Sequence, residues 1–73
     1  MSKDWNVEDV KEYYGEWFAN DVEVKDAMEE VKRRYGYRVN DSLSSKMRLM
    51  RRYLKEQFGI ETIFVIGYRR AKV

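Results

Sequence analysis

The chemistry most available to this sequence is cationic. Lys46, Arg48, Arg51, Arg52 and Lys55 are interleaved with Leu43, Met47, Met50 and Leu54 in one short stretch. At the helical period the four apolar positions, spaced four, three and four, fall within about 60° of one another. They form one stripe. Ser45, Arg48 and Arg52 project opposite it, Lys55 lies nearer the edge, and Lys46 and Arg51 take the flanks. Such a helix packs one side and offers guanidinium forks on the other. Arg48 and Arg52, one turn apart, match the O6 and N7 acceptors of guanine. Lys46, Arg51 and Lys55 suit flanking phosphates, and Ser44 and Ser45 near the helix start can donate to phosphate or base. Each arginine taken alone reads equally as a solvated surface charge. The cluster, set opposite a clean apolar stripe, is what points to a polyanion. The Met47 and Met50 pair reads as core packing, since methionine is an adaptable filler.

Catalysis has little to draw on. Histidine, cysteine and proline are absent, which leaves no imidazole base and no thiolate nucleophile. No glycine-rich phosphate loop occurs. The closest carboxylates, Glu8 with Asp9 and Glu29 with Glu30, are sequence neighbours that point to different sides of a helix. No calcium-loop spacing is present. The expectation is a protein that is not an enzyme and carries no cofactor and no metal.

Charge divides along the chain. Residues 1–36 hold six Lys/Arg against ten Asp/Glu, and residues 37–73 hold nine against three, so a net charge of +2 conceals balances of −4 and +6. A basic half collects a polyanion while the acidic half faces away from it. At 73 residues the chain is read as one domain, 1–73, with a single small core. Without disulfides that core must supply the stability, and two tryptophans, three phenylalanines and six tyrosines give it large apolar surfaces to bury. No run reaches the roughly 18 apolar residues of a membrane span. The opening MSKDWNVED lacks the basic flank and apolar centre of a signal peptide. A cytoplasmic or nucleoid-associated location, away from membranes, is expected.

The elements that must position the cationic face follow from period and punctuation. Asn6 stands as N-cap to a first helix near 7–19, with Val7, Val10, Tyr14, Trp17 and Phe18 on one face and Glu8 and Asp9 in its first turn. Gly15 in its middle marks a candidate helix crossing. ANDVEV alternates around Val22 and Val24 and reads either as a short extended piece or as a helix starting at Asp21. Asp26 and Glu29 have capping-box spacing, which puts a second helix near 26–35 with Ala27, Met28, Val31 and Tyr35 inward and Gly36 as its left-handed terminator. The basic helix runs from an N-cap among Asn40, Asp41 and Ser42 to Gly59. Thr62, Ile63, Phe64, Val65, Ile66 and Tyr68 are β-branched or aromatic and predict a strand broken at Gly67.

This order of elements resembles a small winged helix-turn-helix domain. IETIFVIGYRR, with Ile60, Thr62, Ile63, Gly67, Tyr68 and Arg69, is similar to the wing of the OmpR/PhoB class of transcription regulators. VKRRYG at 31–36 looks like the end of that family's second helix, and Met47, Met50 and Leu54 fall at the apolar positions of its recognition helix. RRYGYRVNDSLSSKMRLMRRYL has a looser resemblance to the C-terminal domain of DEK-type chromatin proteins. The resemblance implies an α+β fold with a C-terminal β-hairpin or strand as wing. It also implies double-stranded DNA as partner, read by the helix near 42–58, with Arg69, Arg70 and Lys72 following the backbone from the wing. If six of these cations neutralise phosphates, the binding constant should fall with salt at a logarithmic slope of about −5. A homodimer is open to such a protein, because one short helix reads few base pairs. The competing expectation is a protein-binding regulator of the scale encoded by phages and mobile elements, docking a host polymerase, nuclease or other large protein target through Leu49, Phe64, Val65 and Ile66.

Overall fold

A computed structural model describes residues 4–62. The first helix, α1, spans Val7–Tyr14 and begins at a reciprocal cap: the Asn6 side chain accepts from the Asp9 amide at 3.0 Å and the Asp9 carboxylate accepts from the Asn6 amide at 2.9 Å. Its last turn tightens into a 3-10 segment, Gly15–Trp17, so the expected helix to residue 19 stops short. Gly15 marks no helix crossing: a side chain there would meet only its own helix, at the Lys11 Cβ, 3.5 Å away. α2 spans Asp21–Tyr35, with Asn20 as N-cap accepting from the Glu23 amide at 3.0 Å. Of the two readings of ANDVEV, the helical one holds. Asp26 and Glu29 have the spacing of a cap but lie within an unbroken helix. Gly36 ends α2 at φ 73°, a backbone that an L side chain enters at a cost.

α3 spans Leu43–Phe58, close to its expected bounds. The Ser42 hydroxyl accepts from the Ser45 amide at 3.1 Å. Gly59, in the left-handed region at φ 68°, turns its own amide and that of Ile60 back onto the Lys55 and Leu54 carbonyls. The apolar stripe is buried as its spacing requires: Met47, Met50 and Leu54 are fully enclosed, each side chain stabilising the fold by about 1.5–3 kcal/mol. α2 packs against both other helices, presenting Val24, Ala27 and Val31 to Val10, Tyr13, Tyr14, Tyr53 and Trp5 in one shared core. The Tyr14 hydroxyl donates to the Met47 carbonyl at 3.2 Å and ties α1 to α3. Burial pushes that phenol up to about 12, with Thr62 and Arg51 pulling the other way, so it remains a donor across the physiological range.

The expected α+β fold with a β-wing is overturned. Every regular element among the described residues is helical, and no strand occurs among them. The stretch around Val22 and Val24, open to reading as an extended piece, lies within α2, which buries Val24 and leaves Val22 exposed. Residues 60–62 are described and lie in no strand; the rest of the expected wing, from residue 63, lies outside the described residues. No helix among the described residues is long and apolar enough to cross a membrane.

Candidate nucleic-acid interface

The outward side of α3 is set by geometry. With Met47, Met50, Tyr53 and Leu54 turned to the core, Ser45, Arg48, Arg51, Arg52 and Lys55 are left in solvent, and Ser44 is half-buried. Arg48 and Arg51, one turn apart, form no ion pair among the described residues. Neither guanidinium group donates to a carboxylate among the described residues. Arg52, 62% exposed, donates through Nε to Glu56 at 3.0 Å, and its guanidinium carbon lies 4.9 Å from the centre of the Tyr35 ring. Lys55, 65% exposed, reaches Glu61 at 3.1 Å. Ion pairs this exposed exchange readily with water and with other anions. At the start of the helix the Ser42 hydroxyl donates to Ser45 Oγ at 3.0 Å, and Ser45 is exposed.

Lys46 is a correction. Its position on the flank of the stripe suggested a phosphate contact, but the side chain is 1% exposed and turned inward. Nζ donates to Asp4 Oδ1 at 2.9 Å and to the Val39 carbonyl at 2.7 Å, and it lies 5.4 Å from the centre of the Tyr37 ring. The long aliphatic stem lets a lysine beside an apolar stripe fold inward when oxygen partners are present. Trp5 joins the same cluster, donating from Nε1 to the Tyr37 hydroxyl at 2.7 Å with the two rings edge to face. Burial pushes the Asp4 carboxyl up, but the hydrogen bonds from Lys46 and the Trp5 amide, with the Lys46 and Lys32 charges, bring it below its ordinary value. Leu49 is half-buried and packed against the core. Arg69, Arg70, Lys72, Phe64, Val65 and Ile66 lie outside the described residues.

Other side chains at this face were not anticipated. Arg34, near the end of α2, donates to Glu30 at 3.0 Å and lies 5.9 Å from the Tyr53 ring centre, while Arg33 grips both oxygens of the same carboxylate. Arg33 and Arg34 together hold Glu30 below the usual carboxylate range. The Tyr35 hydroxyl donates to Glu56 at 2.6 Å; with Arg52 this depresses the Glu56 carboxyl, while burial and the Glu56 contact raise the Tyr35 phenol. The spacing of Glu30 with Arg34 and of Arg52 with Glu56, four residues apart, was the available signal. The bridge from Tyr35 to Glu56, which locks the two helices together, leaves no mark in sequence spacing.

The described residues therefore form three α-helices, of which α3 is cationic on its solvent side. No known family model, curated protein or solved structure matches the chain. Among the described residues no group of three or more acidic side chains is arranged to hold a metal ion.

Proposed function

We propose that this chain is a small DNA-binding regulator that contacts duplex DNA through the solvent face of α3. The observation that carries the reading is the pair Arg48 and Arg51: two exposed guanidinium groups with no carboxylate partner among the described residues, on a helix whose pose is fixed by the buried Met47, Met50 and Leu54 behind them. Arg52 and Lys55 extend the positive strip along the same side. A helix held in this way can lie against a groove with arginines toward base edges and neighbouring cations toward phosphates. The acidic surface of α1 and the first half of α2 would face away from the polyanion.

The test is fluorescence anisotropy of a labelled, mixed-sequence duplex, titrated at several salt concentrations. Four cations on α3 give an expected logarithmic salt slope of about −3 to −4. Arg48→Ala/Arg51→Ala should weaken binding by about tenfold or more and make the slope shallower by about 2, with the thermal melt unchanged. Absence of binding at low salt, or a double variant that binds like the parent, would overturn the reading.

A further inference from the structure

A second surface has the opposite character. An open groove of about 280 Å³ runs between the 3-10 segment, the first half of α2 and the end of α3. Its walls are the rings of Trp17, Phe18, Tyr53 and Phe58, and its polar lining is two carboxylates, Glu23 and Asp26. Phe58 is 60% exposed and meets Tyr53 edge to face at 5.8 Å, so one wall of the groove is an apolar ring standing in water. Glu23 accepts from the Ala19 amide through one oxygen. Asp26 is exposed and forms no ion pair among the described residues. Arg34, which lies 5.9 Å from the Tyr53 ring centre, is engaged with Glu30.

We infer that this groove docks a basic amphipathic segment of a partner protein, with a large apolar side chain between the four rings and a flanking lysine or arginine on Asp26 and Glu23. Size favours this over a metabolite: the volume of about 280 Å³ falls just below the roughly 300–1,000 Å³ of small-molecule pockets and suits one or two side chains. Charge selects the flanks, since an acidic guest would set its carboxylates against two others, whereas a basic one gains at both. A second copy seated through its own α3 fits poorly. That face is basic, but its one large apolar side chain, Leu49, is packed against the core and supplies no anchor. The groove is separate from the face proposed for DNA, and the inference does not rest on that reading.

The probe is a synthetic helical peptide of leucine and lysine, compared with its leucine and glutamate counterpart, titrated into the full chain and followed by the Trp17 indole and Ala27 NMR signals. The basic peptide should move both signals and bind about tenfold tighter than the acidic one. Phe58→Ala should weaken it by about tenfold, and Asp26→Lys by about fivefold. Both positions are exposed, so the melts should stay close to the parent. Equal binding of the two peptides, shifts confined to the acidic surface of α1, or insensitivity to Phe58→Ala would overturn the inference. So would signals that move with protein concentration alone, which would make a second copy the occupant.

Discussion

Lys46 and Arg48 lie two residues apart in α3, carry the same charge and meet opposite surroundings. The Lys46 amine is enclosed, bonded to Asp4 and the Val39 carbonyl, and helps fix the N-terminal segment and the 36–42 connection against the helix. Arg48 stands in water with no ion pair among the described residues. On a helix, two residues amount to a rotation of roughly 200°, enough to take one cation into the fold and leave its neighbour outside. A cation with internal partners contributes to stability and little to binding; one without them is available to a polyanion and is nearly silent in folding. Stability and DNA affinity should therefore separate between adjacent cations of one helix.

The sharpest way to break that contrast is at Lys46. Lys46→Ala removes the donor from the Val39 carbonyl and opens space under Trp5 and Tyr37. Fully buried pairs lose about 3–5 kcal/mol when one partner is removed. Asp4 is 39% exposed and keeps water contact, so the expected loss is smaller, about 2 kcal/mol by urea denaturation. Lys46→Met keeps the volume without the charge and should lose less. Neither change should alter the salt slope of DNA binding. If Lys46→Met makes that slope shallower by about 1, the amine reaches a phosphate and the contrast with Arg48 fails.

Asp4 tests the same pair from the acid side. Its carboxyl lies below its ordinary value in the folded chain, so the unfolded chain takes up its proton first as pH falls. The stabilisation is present above the unfolded value, about pH 4, and is lost as pH drops through the folded one. Asp4→Asn should be less stable than the parent at about pH 6, and the gap between them should narrow by about pH 3. Urea midpoints at the two pH values give the comparison. A gap of constant size would mean that the charge on Asp4 contributes nothing beyond its hydrogen bonds.

How much of this was legible depended on whether the controlling contacts were local. α3 was readable from end to end, because Ser42, the 4-3-4 stripe and Gly59 each act within one turn of themselves. The start of α2 was legible only as one of two readings. Asp26 and Glu29 imitate a cap, and Val22 with Val24 imitate a strand. The spacing that governs is Val24, Ala27 and Val31, led by Asn20. Trp5, Tyr13 and Tyr53 were missed as core because their burial depends on how three helices meet. Lys46 was misplaced for the same reason: its partners are 42 and 7 residues away. The β-rich ending carried a propensity, but propensity for a strand is a preference for a paired surface, and of that ending only residues up to Thr62 are described, none of them in a strand.

The smallest expected effect is the most discriminating about where DNA would lie. Glu56 is the one acid on α3 itself, and it holds Arg52 by one oxygen and accepts from the Tyr35 hydroxyl by the other. Glu56→Gln removes a negative charge from the border of the cationic strip, while Arg52 keeps its place over the Tyr35 ring. If the duplex covers the Arg48, Arg51 and Arg52 side, affinity at low salt should rise by about two- to threefold, and the gain should shrink once the screening length falls to about 8 Å at physiological ionic strength. Anisotropy titrations of the variant at low and at physiological salt measure both. A gain that persists at physiological salt would point to an unscreened contact at residue 56 itself. No gain at low salt would place the duplex away from Arg52 and Glu56, which are joined by an ion pair.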